Sequence, residues 1–269
     1  MSKPLVSVIM PAYNEEKHIG KAVASVLAQT YQEYELIIVN DGSTDRTGQI
    51  IRSFADNRIR ILENETNIGV TRSRNKALKE ARGKYIACLD ADDSCTPDRL
   101  MKQVAYMEAH PECVLCSTYS DCDHGGYTTV QGEDFYRGDI KKALTKNNPI
   151  NQSSAFFPAR IGGWKVEYPD VNPFEDYALW IKLSQMGEFH ILPEIMNHRT
   201  DYDNLKNKRT WAGYNKNGIY RLLLKYQREA TKTTGYRMKG FFDMIPTVGK
   251  IVISSAGLLT TGRKKGRKP

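Results

Sequence analysis

Four times within roughly the first 110 residues a short apolar run gives way to a polar loop and then to apolar positions at helical spacing. The apolar runs fall at residues 5–10, 35–39, 58–62 and 84–89. Helical patterns follow each: Ile19, Val23, Val26 and Leu27 after an opening at Asn14, residues 44–54, residues 71–82 stopped by Gly83, and Leu100, Val104 and Met107 after Pro97. Repeated βα units need crossover connections. They predict an α/β fold with a mostly parallel, doubly wound sheet and helices on both faces.

Downstream the pattern is less regular. A fifth strand is expected at 113–118, a turn-rich patch at "DCDHGG" and an extended run at 152–157. An amphipathic helix is expected in "FEDYALWIKLSQMG", with Leu179, Trp180 and Leu183 inward and Gly187 ending it. Short strands at 188–192 and 195–199 precede a polar helical region reaching about Gln227.

In an open parallel sheet the ligand sits beyond the carboxyl ends of the strands. The four polar loops at that edge are "PAYNEE", "NDGSTD", "NETNIGVTRSRN" and "DADDS", so they converge on one cleft. The last puts Asp90, Asp92 and Asp93 in four positions, and like charges this close need a cation or free access to water. Asp90 and Asp92, two apart at a strand end, can point to one side, and an all-oxygen ligand set suits Mg²⁺ or Mn²⁺. The competing reading is a solvated loop in which Asp93 or Thr96 caps the next helix. Cys113, Cys116, Cys122 and His124 have a spacing seen in zinc sites, but Cys113 and Cys116 occupy a strand where small apolar side chains are expected.

Charge is unevenly placed. Residues 232–269 hold nine Lys or Arg against one acid, Asp243, which accounts for the whole formal excess of +8. With Phe241, Phe242, Ile251 and Leu258 among their apolar residues, they read as an element lying on an anionic membrane surface rather than crossing it. A neutral body without a basic groove argues against nucleic acid as the partner. Five cysteines without disulfide-dense spacing, and no secretory pattern at the N-terminus, point to the cytoplasm, peripheral at the inner face of the membrane.

"VSVIMPAYNEE", "ELIIVNDGSTDRT", "NIGVTRSRN", "GKYIACLDADD" and "FEDYALWIKL" together resemble the successive signatures of family 2 glycosyltransferases with the GT-A fold, over about residues 4–205. The resemblance implies residues 1–110 as a nucleotide-sugar-binding half and 111–205 as the acceptor-side half of the same domain; it does not cover 206–269, which the sequence itself reads as a helical extension with the basic tail. It implies that Pro11, Ala12 and Tyr13 hold the base and ribose of a UDP-sugar, that Asp41 accepts from the uracil N–H, and that Arg74 supports the acids or the diphosphate. Asp90 would lie by the ribose and near the metal, Asp92 would bind Mn²⁺ or Mg²⁺, and Asp176, beside Glu175, would be the general base of an inverting transfer to a glycan or lipid-linked acceptor. The pair after the second strand reads Asn40-Asp41 instead of two aspartates. The later histidine of the family is replaced by Asp201 in "NHRTD", a hard oxygen donor available as a metal ligand.

Two other functions fit less of the chain. A sugar-phosphate nucleotidyltransferase would favour a glycine-rich phosphate loop, and "PAYNEE" has no glycine. A non-catalytic sugar-nucleotide-binding or scaffold protein would not need the carboxylates Asp41, Asp90, Asp92 and Asp176 together.

Overall fold

The structure is a computed structural model that describes residues 5–123, 128–131, 140–144, 148–171 and 174–200, together with Lys225 and Arg228. The basic tail, Asp201, His124 and most of the expected helical region up to Gln227 lie outside the described residues.

The expected βα alternation is present: β1 (Val6–Ala12), α1 (Ile19–Leu27), β2 (Tyr34–Asp41), α2 (Thr47–Arg52), β3 (Ile59–Asn64), α3 (Val70–Glu80), β4 (Tyr85–Cys88), β5 (Ser94–Cys95) and α4 (Arg99–Ala109). There follow β6 (Cys113–Asp123), β7 (Thr128–Gln131), α5 (Ile140–Ala143), a 3-10 turn at Gln152–Ser154, β8 (Phe156–Pro158), the hairpin β9 (Arg160–Ile161) and β10 (Trp164–Lys165), α6 (Glu175–Leu183) and β11 (Glu188–Thr200).

The main sheet has nine strands in the order β3-β2-β1-β4-β8-β6-β11-β5, with β7 on β6. β1 to β4 run parallel, and β8 enters antiparallel between β4 and β6. The chain therefore winds outward from β1 to β3 and returns to the other side of β1 as β4. The loops leaving β1 and β4 part at this reversal, where a crevice opens.

Alternation of side chains along each strand divides the core in two. Ile9, Ile37, Val39, Ile86 and Cys88 face α3 and α6, where Ala77, Leu78 and the fully buried Trp180 fill the layer. Val8, Met10, Leu36, Ile38 and Ala87 face α1, α2 and α4 through Val23, Ile51 and Val104. Each large aliphatic or aromatic side chain so buried contributes about 1.5–3 kcal/mol.

Three local expectations are corrected. Asn14 does not open α1; it takes a left-handed φ of 53° in the preceding loop, a conformation its short polar side chain tolerates. The extended run at 152–157 is a 3-10 turn followed by the short β8. The strands expected at 188–192 and 195–199 form one 13-residue strand whose register on β6 shifts around Ile195; the bulges absorb what reads as a break.

Candidate active site

The cleft is built from loops that hydrogen bonds stitch together. β1 and β2 end side by side, Ala12 paired with Asn40. Beyond them the Asn14 N–H donates to Ser43 Oγ at 3.1 Å, the Glu15 N–H to Thr47 Oγ1 at 2.7 Å, and the Thr44 N–H to Asn14 Oδ1 at 2.9 Å. The positive φ of Asn14 turns the first loop onto the second.

Asp41, 3% exposed, ends β2 and organises the third loop. Its Oδ1 accepts from Asn64 Nδ2 at 2.7 Å and from the Ile68 N–H at 3.0 Å, and its Oδ2 accepts from the Gly69 N–H at 3.0 Å. This fixes the turn into α3 and places Gly69 and Val70 at the cleft wall.

Arg74, on α3, is the buried cation of the site. Its Nη1 donates to Glu175 Oε1 at 2.6 Å, its Nη2 to Asp90 Oδ1 at 2.7 Å, and its guanidinium lies 5.6 Å from the Tyr168 ring centre. Burial works against its charge, but Asp90 and Glu175 outweigh this and hold its pKa above the ordinary value. Arg74 is not an exposed helix charge: it is buried, and Glu80, further along the same helix, pairs with Arg60 instead.

The carboxylates of Asp90, Asp92 and Asp93 bring one oxygen each within 4.8 Å of one another. Burial pushes Asp92 up to about 8, with Asp93, Asp90 and Glu15 adding to the shift, and burial beside Asp90 pushes Asp93 to about 6. Neither Asp93 nor Thr96 caps α4. Asp93 Oδ1 accepts from the Thr200 N–H at 3.1 Å, Thr96 Oγ1 donates to Asp98 Oδ1 at 2.8 Å, and the cap residue of α4 is Asp98. The Thr200 hydroxyl also bonds the Asp92 carbonyl, so the end of β11 is tied to the acid loop. Three crowded oxygens, strained by burial and like charge, form a set that a hard divalent cation fits.

A cleft of about 290 Å³ is lined by Pro11, Ala12, Tyr13, Asp41, Arg74, Asp90 and Asp92, all seven residues that the sequence nominated for the donor. Glu15, Asn67, Gly69, Val70 and Ala91 also line it and were not singled out. Their signal is positional, since each lies at the carboxyl edge, four in loops and Val70 at the first position of α3. Asp176 and Glu175 do not line this cleft; they open α6, linked to it through Arg74. Asp176 Oδ2 accepts from Asn148 Nδ2 at 2.8 Å and its Oδ1 from the Tyr177 N–H at 2.6 Å. Burial, then the adjacent Glu175, pushes the Asp176 carboxyl up to about 7 against the pull of Arg74.

Cys113, Cys116 and His198 are not among the residues that line the cleft. Cys113 and Cys116 are buried free thiols, pushed upward by burial, Cys113 to about 11. His198 Nδ1 lies 2.8 Å from Asp121 Oδ1. Among the described residues, no helix is long and apolar enough to cross a membrane.

Comparison with known proteins follows the same lines. The model of the family described as glycosyl transferase family 2 matches residues 7–160. A Haemophilus influenzae protein named "Uncharacterized glycosyltransferase" is 33% identical over 207 residues, which cover 72% of this chain and 64% of that protein. The Escherichia coli protein WfaP, named as a UDP-Glc:alpha-D-GlcNAc-diphosphoundecaprenol beta-1,3-glucosyltransferase, is 36% identical over 186 residues, 68% of this chain and 71% of WfaP. In fold, the chain is similar to S. aureus TarS 1-349, solved in complex with UDP-GlcNAc, with a TM-score of 0.69 at 21% identity over 85% of this chain and 67% of that one. With the reversal of strand order, the cleft at that reversal and these matches in hand, the chain belongs to glycosyl transferase family 2 and has the GT-A fold.

Proposed function

We propose that this chain is an inverting, metal-dependent glycosyltransferase that moves a sugar from a UDP-sugar to an acceptor hydroxyl. The observation that carries the reading is the meeting of seven residues from four successive βα units around one cleft, two of them members of the acid cluster.

Tyr13, 43% exposed, lines the cleft with Pro11 and Ala12, where the three would hold the base and ribose. Asp41 already accepts three hydrogen bonds, which leaves one acceptor direction for the uracil N–H. Such a carboxylate discriminates against a base lacking that donor. Asp90 and Asp92 would hold Mn²⁺ or Mg²⁺, with Asp201, next in sequence after the anchored Thr200, as a further oxygen ligand. When bound, the cation supplies charge neutralisation for the donor diphosphate. The N-terminal turn of α3 opens on the same cleft and favours negative charge.

Transfer then needs one more group. As the acceptor oxygen bonds to the anomeric carbon, the bond from that carbon to the β-phosphate oxygen breaks and its electron pair leaves with UDP. The acceptor proton passes to Asp176, the general base, with Glu175 holding Arg74 beside it. The acceptor is a glycan or a lipid-linked saccharide, a reading the name of WfaP supports. Residues 1–110 would bind the donor and 111–205 the acceptor within one domain, while 206–269 form the extension whose basic end meets an anionic membrane at its cytoplasmic face.

The test is release of UDP or GDP from a panel of UDP- and GDP-sugars, with and without Mn²⁺. Turnover of a UDP-sugar that stops in EDTA and returns with Mn²⁺ is expected. Full activity in EDTA, or turnover of GDP-sugars alone, would overturn the reading.

A further inference from the structure

Asn148 reaches the active site from a segment that carries none of the family signatures, and its amide cannot choose its orientation. The Ile150 N–H donates to Asn148 Oδ1 at 3.2 Å, closing a local turn, so Nδ2 is the end left to face Asp176. The next contact fixes the other side of the pair. The Tyr177 hydroxyl bonds the Leu144 carbonyl, tying the first turn of α6 to the chain just before Asn148.

Asp176 thus meets two groups that only donate: the Asn148 amide on Oδ2 and the Tyr177 N–H on Oδ1. Donated hydrogen bonds are stronger to a carboxylate than to a neutral acid. Other groups act on the same carboxyl. Glu175 beside it and Asp90 across the site favour its protonated form, and Arg74 on α3 favours the ionised one.

We propose that Asn148 is a positioning residue for Asp176, holding its carboxylate in one rotamer and free of a proton on Oδ2, so that the remaining lone pair takes the acceptor proton. The proposal rests on the reading of Asp176 as general base. It adds a residue whose own chemistry never touches substrate.

The informative variant is Asn148→Asp, which keeps the oxygen that accepts from the Ile150 N–H and replaces the donor by a second carboxylate oxygen. Asn148→Ala removes both. Aspartate labelled with ¹³C at its carboxyl, assigned against Asp176→Asn, reports the titration of Asp176 without any turnover. Asn148→Ala should raise its midpoint by about one pH unit, and Asn148→Asp by more. In UDP release from UDP-glucose or UDP-GlcNAc with Mn²⁺, both variants should lower kcat about tenfold or more while the donor KM holds. The acidic limb of the rate profile should move up with the titration. An unmoved Asp176 titration in both variants overturns the proposal. A shifted titration in a protein that releases UDP from no donor keeps the Asn148–Asp176 coupling, but overturns the catalytic role of Asp176 and the proposal with it.

Discussion

Arg74 and Glu175 lie 101 residues apart in sequence and 2.6 Å apart in the fold, at side-chain exposures of 6% and 8%. The same guanidinium holds Asp90, so one cation joins the loop after β4 to the start of α6. Breaking a buried pair leaves an uncompensated charge, at a cost of about 3–5 kcal/mol. Arg74→Ala should lower the urea midpoint accordingly. Arg74→Lys should recover only part of the loss, because an ammonium lacks the fork that reaches both acids. A midpoint unchanged by Arg74→Ala would contradict the pairing.

The acids predict how metal and pH trade off. A carboxyl whose pKa is higher in the folded than the unfolded chain stabilises the fold while protonated, and that contribution is lost as pH rises through the folded value. Asp93, Asp176 and Asp92, pushed up to about 6, 7 and 8, place the loss between about pH 4 and 8. In EDTA the melting temperature should therefore fall from about pH 5 to about pH 8. Mn²⁺ should reduce the fall, and so should Asp92→Asn. A melting temperature that rises over this range in EDTA would oppose the assignment.

Replacing the base separates chemistry from binding. Asp176→Asn keeps the shape of the side chain but cannot take a proton, so kcat should drop by a factor on the order of 10² to 10⁴. UDP affinity, measured by calorimetry, should stay near wild type. Near-normal turnover would move the base role to another carboxylate.

Gly42 tests the donor loop from behind. Its φ is +68°, and a Cβ there would come within 2.5 Å of the Thr66 carbonyl carbon and 2.7 Å of the Asn67 nitrogen, both backbone atoms. Gly42→Ala must displace the segment that leads to the two N–H groups on Asp41, besides about 1–2 kcal/mol of left-handed strain. UDP binding should weaken about tenfold or more, the equivalent of about 1.4 kcal/mol. Wild-type affinity would show that the loop adapts.

For the basic tail, the 269-residue chain should sediment with anionic liposomes and be released by salt, each basic side chain near the surface contributing about 1 kcal/mol. A chain ending at Ala230 should stay in the supernatant and still release UDP. Equal sedimentation of the two forms would remove the tail as the anchor.

The parts of the site that could be read in advance are those where chemistry and chain position coincide. Val8, Met10, Leu36 and Ile38 announce their strands as members of short apolar runs, Asp41 closes β2 and Asp90 comes two residues after β4, so the carboxyl-edge rule places both at the cleft. Arg74 alone looks like a surface charge, because its second partner arrives only with Glu175. Asn148 is invisible for a different reason: an asparagine beside a proline reads as an ordinary turn until Asp176 is placed against it. The insertion of β8 between β4 and β6 rests on three apolar residues, too few to give a period.

That insertion also orders events during synthesis. Every donor-cleft residue lies before Thr96, so the ribosome completes the cleft's sequence long before it delivers Phe156 to close the edge of β4 or Glu175 to neutralise Arg74. Until then the nascent chain carries an open strand edge, and contacts this distant in sequence close slowly. The first hundred residues hold most of the binding chemistry and would make a poor independent fragment, exposed to aggregation until the last strands arrive.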